Sequence, residues 1–228
     1  MTFAMYEGLY EACDRADAED GVRVLVLRGA GEKAFVSGTD IAQFAGFTGA
    51  EGIAYEERIT RAVRRLQDVT VPSVAAVRGY CIGGGLALAA SCDLRVATAS
   101  ARFGVPIART LGNCLSMDTY ALLVAHLGPA RTLDMMLRAR LLTGEQAHAA
   151  GFVGELTEDL DGAVAATVDT LAAHAPLSMW AAKQAVHRLR RAALPDGDDL
   201  VRRVYGSADF ARAVAAFSSR ERPTWTGT

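Results

Sequence analysis

Phe3, Tyr6, Leu9, Tyr10 and Cys13 recur at helical spacing, and VRVLVLRG at 22–29 follows as a β-branched run closed by glycine. This pattern predicts a helix and then a buried strand. A glycine-punctuated loop at 30–52 leads to EGIAYEERITRAVRRLQDV, whose amphipathic period predicts a second helix that stops before Val71 and Pro72. PSVAAVRG at 72–79 reads as another strand. The chain then turns on Gly79 and Gly83 to Gly85 into the short apolar helix LALAASC, and DLRVATASARFGV at 93–105 reads as two short strands around a polar turn. Beyond residue 113 helix follows helix, through SMDTYALLVAHLG, PARTLDMMLRAR, TGEQAHAAG and DFARAVAAFSSRER.

The pattern predicts an α/β core of repeated strand and helix units with a helical C-terminal third and no low-complexity linker. Residues 1–170 are assigned to the core and 171–228 to a C-terminal helical region. With 228 residues, 51% of them apolar, the chain is long enough to bury one sizeable core. Lys and Arg number 24 against 26 Asp and Glu, and no dense basic run occurs, so nucleic acid is excluded as a partner. Acids appear early in the N-terminal stretch and no run of eighteen apolar residues exists, so the expectation is a soluble, cytoplasmic protein without a membrane partner. Cys13, Cys81, Cys92 and Cys114 have neither a disulfide framework nor C-x-x-C spacing, and the expectation is reduced, mostly packed thiols and no metal.

The candidate chemistry lies in GYCIGGGLALAASCD at 79–93. Backbone N–H groups at a helix N-terminus are unpaired and point outward, so a glycine turn there brings amides close to an anion. A dinucleotide site requires G-x-G-x-x-G and an acid ending the next strand. Here the spacing is G-x-x-x-G-G-G and the next strand begins at Asp93. The other use is an oxyanion hole, which needs a second amide from elsewhere, and KAFVSGTDI at 33–41 is a candidate. A tight turn with close helix packing is the alternative reading of Gly83 to Gly85.

KAFVSGTDI, then PSVAAVRGYCIGGGLALAASCDLRVATASARFGVP, then PLSMWAAKQAV and AVAAFSSRERP, in that order, resemble the crotonase superfamily of enoyl-CoA hydratases and isomerases over almost the whole chain. The resemblance implies a ClpP-like fold of repeated ββα units, with a C-terminal helical region that forms homotrimers or hexamers. It implies an acyl-CoA substrate, an enolate-type intermediate and no cofactor beyond the CoA of the substrate. By the same resemblance the amides of Thr39 and Gly84 hold the thioester oxygen. CoA lies along Asp40 to Gln43, including Ile41, with Phe217 and Arg220 near its tail, Arg220 standing where the family usually has Lys. The alternative for Asp40 is a cap on backbone amides.

The chain departs from the family where hydratases carry two glutamates, positions occupied here by Ala87 and Ile107. Neither moves protons, so little ordinary hydration is expected, leaving three readings: an enzyme with relocated acid–base groups, a residual hydratase, or an impaired acyl-CoA-binding or assembly protein. Asp118 is the candidate for a relocated acid, or else a first-turn carboxylate favoured by the helix dipole. Arg109 reads as a carboxylate clamp or an ion-pair residue, Asn113 as a helix cap or a residue that orients a polar group, and Cys114 as a buried thiol or a nucleophile. Met135 and Met136 read as core or acyl-pocket residues, and Lys183 as the solvated side of a packing helix. Relatives begin with two strands and an Asn-Arg-Pro turn, whereas this chain opens on the helix. The first ββ portion is therefore expected to be absent, with VRVLVLRG short of a covering neighbour and CoA held weakly.

Overall fold

The computed structural model describes residues 1–192, 194–219 and 221–227. Helix α1 (Phe3–Ala18) leads to β1 (Leu25–Arg28) and β2 (Ala34–Val36), and α2 (Gly49–Asp68) returns the chain to β3 (Ser73–Val77) and β4 (Tyr80–Ile82). Helix α3 (Gly84–Ser91) precedes β5 (Leu94–Ala97) and β6 (Arg102–Gly104), followed by α4 (Ile107–Thr110) and α5 (Met117–Leu137). The remainder is β7 (Leu142–Thr143), α6 (Gly144–Ala149), β8 (Glu155–Leu156), α7 (Leu160–Ala173), α8 (Pro176–Arg191), α9 (Asp198–Tyr205) and α10 (Ala208–Ser219). One sheet runs β1-β3-β5-β8, all parallel, and the other runs β2-β4-β6-β7, antiparallel only at its last pair. Each odd strand of the first sheet feeds the next strand of the second, which is the repeated ββα unit expected from the motifs.

The apolar pattern located the larger elements. It missed β4, because Tyr80 to Ile82 is too short to show a period beside four glycines. It also missed the two-residue strands β7 and β8. Strand β3 is buried on both faces, with Val74 and Ala76 under α7 and Ala75 and Val77 in the main core. Strand β1 is a sheet edge with Leu25, Val26 and Leu27 half-buried, less enclosed than its β-branched run suggests and in line with the expectation that it lacks a covering neighbour. Helix α5 breaks at Gly128 (φ 73°, ψ 160°) and Pro129, where two helices were expected. No helix among the described residues is long and apolar enough to cross a membrane.

Close backbone approach holds the two sheets in place. A Cβ at Gly29, Gly79 or Gly85 would overlap the carbonyl oxygens of Ala34, Lys33 and Val36 respectively, so three glycines let β1, the β3–β4 turn and α3 press on the same four-residue stretch. The C-terminal helices close over the segment that follows. Tyr205 of α9 and Phe210 of α10 join Phe44, Phe47 and Tyr55 in one aromatic cluster, and α9 reaches α2 where Gly52 leaves room for the Tyr205 ring.

Helix α8 docks with its charges inward. Lys183, read from the sequence as solvated, is buried, and its Nζ donates to Asp93 Oδ2 at 2.8 Å and to the Val71 carbonyl at 3.1 Å. Asp93 also accepts from the Ser73 amide at 2.7 Å and hydroxyl at 2.9 Å. Burial raises the Asp93 carboxyl, but His187, the Lys183 ammonium and Ser73 together outweigh it and hold the group below its usual value. The helical period alone cannot tell a solvated Lys from one whose partner comes from a distant strand.

Two outcomes follow for stability. Gly85→Ala is expected to lower stability by about 1–3 kcal/mol, since the added methyl meets backbone and the β-branched Val36. Gly8→Ala, on an exposed face of α1 with open space around it, is expected to raise it by about 0.5–1 kcal/mol. Thermal unfolding of both variants checks the opposite signs. Lys183→Met leaves a buried carboxylate unpaired and is expected to cost about 3–5 kcal/mol, with part recovered in the Asp93→Asn, Lys183→Met double variant, as read by denaturant titration.

Candidate active site

The chain reverses direction at two adjacent points, after β2 and after β4. Gly38 follows β2 at φ 108° and Gly83 follows β4 at φ 60°, conformations that side chains rarely adopt, and a Cβ on Gly83 would sit 3.7 Å from the Gly38 Cα. Gly83 donates to the Gly104 carbonyl at 2.9 Å, which anchors the turn to β6. Helix α3 therefore begins with its first amide, that of Gly84, beside the Ser37–Thr39 loop. Among the described residues neither the Thr39 nor the Gly84 amide has a hydrogen-bond acceptor. Two N–H groups left open in this way have the composition of an oxyanion hole.

Three hydroxyls pack against these turns. Thr39 Oγ1 lies 2.7 Å from the Tyr55 hydroxyl and 3.4 Å from that of Tyr6, and a Cβ on Gly84 would stand 2.6 Å from the Tyr6 oxygen. Burial pushes both tyrosines up from the ordinary phenol value, so they stay protonated. Thr39, Tyr55, Gly83 and Gly84 line a cavity of about 130 Å³ whose walls are otherwise largely apolar, with Ile41, Phe44, Ile59, Ile82, Leu111 and Leu115. Ala87 and Ile107 line the same cavity.

The cavity wall also holds Glu56, Asn113 and Thr119. Glu56 is 5% exposed; Oε1 accepts from the Tyr205 hydroxyl at 2.8 Å and Oε2 from the Ser116 amide at 2.8 Å. Burial pushes its carboxyl up to about 7 against the opposing pull of those two donors. Asn113 Nδ2 donates to the Tyr205 oxygen at 3.3 Å, while Asn113 Oδ1 is buried without a partner. No Lys, Arg or His among the described residues lies within ion-pair distance of Glu56.

Of the residues singled out from the sequence, Thr39, Gly84 and Ile41 line this cavity together. Asp40 sits beside it as the cap of the short 3₁₀ turn Ile41–Phe44, its Oδ1 accepting from the Ala42 amide at 3.1 Å. Asp118 does not line it. That carboxylate is 3% exposed, receives Arg190 at 3.1 Å and Arg64 at 3.4 Å, and faces a neighbouring groove of about 720 Å³ that Glu56 also lines, so the candidate acid is an ion-pair anchor between α2, α5 and α8. Asn113 is not the cap of α5; Ser116 is, accepting from the Thr119 amide. Phe217 is exposed on α10, and Arg220 lies outside the described residues. Arg109 is exposed, Cys114 is buried with its thiol pushed up to about 12, and Met135 and Met136 belong to the core. Among the described residues no three His, Cys, Asp or Glu side chains gather as a metal-binding group.

Glu56, Tyr55, Tyr6 and Tyr205 escaped the sequence reading. A signal for Glu56 existed: the buried stripe of α2 runs Gly52, Tyr55, Ile59, Ala62, Val63 and Leu66, and an acid at 56 falls on that stripe, not on the charged face. Tyr205 carried no such mark.

Comparison with known proteins accords with this geometry. The profile of the enoyl-CoA hydratase/isomerase family matches residues 1–228. A probable enoyl-CoA hydratase of Mycobacterium bovis is 30% identical over 94% of this chain and 84% of its own length. The (E)-benzylidenesuccinyl-CoA hydratase of Thauera aromatica is 30% identical over 96% and 87%. Among solved structures, an enoyl-CoA hydratase/carnithine racemase from Magnetospirillum magneticum superposes with a TM-score of 0.79 at 33% identity, covering all of this chain and 87% of that one. A methylmalonyl-CoA decarboxylase in complex with 2-nitronate-propionyl-CoA shares the fold with a TM-score of 0.88 at 23% identity, over 98% and 88%. The full-length profile match, the level of identity and the doubled ββα sheets lead to one assignment: this chain belongs to the enoyl-CoA hydratase/isomerase family of the crotonase superfamily.

Proposed function

We propose that the chain binds a short acyl-CoA thioester and stabilises an enolate on it, with the amides of Thr39 and Gly84 donating to the thioester oxygen. The observation that carries this reading is the pair of unengaged amides on the wall of one small, mostly apolar cavity. A cavity of about 130 Å³ suits a short acyl group, since one of roughly 150 Å³ accommodates benzene. CoA would run past Asp40 and Ile41, with Phe217 and Arg220 toward its tail. Donors already aimed at the oxygen need no metal or redox group, so the only cofactor in this reading is the CoA of the substrate, and the setting is the cytoplasm.

Ordinary hydration is not the proposed reaction. Ala87 and Ile107 stand where the resemblance puts the hydratase glutamates, and each lost acid–base group removes roughly 10²–10⁴ in rate. Those same two residues favour a second reading, an acyl-CoA-binding or assembly protein without turnover. A panel of enoyl-, β-keto-, malonyl- and aryl-CoA substrates followed by mass spectrometry separates the two.

The assembly we propose is a homotrimer or hexamer. With Lys183, His187 and Arg190 turned inward, α8 leaves Leu177, Trp180, Val186 and Leu189 exposed, three of them by more than 60%. An apolar face of that kind needs a cover, and a second copy of the chain supplies one.

Crotonyl-CoA hydration is expected to run roughly four to eight orders of magnitude below a typical hydratase. By calorimetry, Gly84→Pro should weaken acyl-CoA binding while Gly84→Ala, which sets the same Cβ against Tyr6 but keeps the amide, should bind more tightly than the proline variant. Equal affinities would remove the oxyanion assignment. Light scattering should give a mass of three or six chains, and Leu177→Glu with Leu189→Glu should shift it toward one.

A further inference from the structure

The cavity wall contains one buried carboxyl group among the described residues, Glu56, which holding a thioester does not require. Three buried or largely buried carboxylates can be compared. Asp93 has Lys183, and Asp118 has Arg190 and Arg64, so each is neutralised by a cation. Glu56, more buried than Asp93, has only the neutral donors Tyr205 and Ser116. A buried carboxylate without a cation costs stability, and a helix-to-helix tether is made as well by a neutral amide. The geometry around it is also directional. The Tyr205 oxygen accepts from Asn113 Nδ2, so its proton is turned toward Glu56, and Asn113 Oδ1 is left as an unpaired acceptor in a residue of the same cavity wall.

We propose that Glu56 is the proton-transfer residue of this cavity, removing and returning a proton at the carbon next to the thioester carbonyl of a bound acyl-CoA. This rests on the reading of the cavity as a thioester site. In the forward step one carboxylate oxygen of Glu56 takes the α-proton. The C–H electron pair moves into the bond to the carbonyl carbon, and the negative charge settles on the thioester oxygen between the amides of Thr39 and Gly84. Return of a proton from Glu56 to the same carbon restores the thioester. The cycle is redox-neutral and consumes nothing, so in heavy water it replaces α-hydrogen with deuterium. Glu56 thereby supplies proton transfer at the α-carbon, from α2, and no group for activating water, so the missing acids at Ala87 and Ile107 are not both replaced.

The surroundings leave Glu56 as the group that changes charge near neutrality. Facing it are Tyr205 from α9, Tyr55 on its own helix, Tyr6 from α1, Cys114 before α5 and Tyr120 on α5. Burial raises every one of these, so all are uncharged at pH 7. Glu56 also borders the groove that holds Glu57, Arg61, Arg64, Asp118 and Asp198, where Asp118 is paired with Arg64 and Arg190. A carboxyl at about 7 is populated in both forms there, which suits a group that must act as base and then as acid.

The test is α-proton exchange of butyryl-CoA in heavy water, followed by mass spectrometry, with binding measured separately by calorimetry. The expected result is uptake of deuterium by the wild-type protein, with a rate that rises through an apparent pKa near 7. Glu56→Gln should lose about 100-fold or more of that rate at unchanged butyryl-CoA affinity, and Glu56→Asp should restore part of it. Tyr205→Phe removes a donor that favours the ionised form, so exchange should persist with its apparent pKa moved upward, a shift that a purely structural tether would not produce. Binding without exchange in the wild type, or exchange at wild-type rate in Glu56→Gln, overturns the proposal and leaves the thioester reading standing. Absence of butyryl-CoA binding overturns both.

Discussion

The site depends on how closely three backbones approach the stretch from Lys33 to Val36. Gly29, Gly79 and Gly85 each present a bare Cα to one of its carbonyl oxygens, and no other residue type fits in any of the three places. The approach sets the spacing between the turn after β2 and the turn after β4, and therefore the spacing between the amides of Thr39 and Gly84. Interiors of this density do not yield by fractions of an ångström without cost. The two amides are thus held by packing, as the proposed stabilisation of a developing charge would require.

Around that fixed point the molecule treats its buried charges in two ways. Where charge serves as a fastener, it is paired: Asp93 with Lys183, and Asp118 with Arg190, tie α8 to the strand and helix ends beneath it. Each pair has matched geometry and further hydrogen bonds, the condition under which a buried ion pair holds. Where charge lies beside the cavity, it is left without a cation and supported by a tyrosine and an amide. The two patterns differ in their partners: a cation for Asp93 and Asp118, neutral donors alone for Glu56.

The inverted polarity of α8 belongs to the same arrangement. A surface helix normally turns its apolar stripe inward. Here Lys183, His187 and Arg190 face inward and Leu177 and Leu189 face outward, because Asp93 before β5 and Asp118 in the first turn of α5 offer carboxylates beneath the helix. From the sequence, Lys183 on an amphipathic helix pointed the other way.

The order of the motifs determined the family and the ββα architecture, and local spacing determined α1, α2, β3, α3 and the break at Gly128, because each is written in consecutive residues. The glycine turns at 33–41 and 79–85 stood out for the same reason, since a turn that needs positive φ or bare Cα atoms declares itself locally; the choice of Thr39 and Gly84 within them came from the family resemblance. Tertiary structure decided which charges meet. Asp118 read as a relocated acid or as a first-turn carboxylate; it does sit in the first turn of α5, and Arg190, 72 positions away, closes on it. Glu56 looked like one of two adjacent helix acids until Tyr205, 149 positions away, and Ser116 enclosed it. Ionisation depends on burial and on partners brought from distant segments, and neither is a property of the residue's own neighbours in sequence.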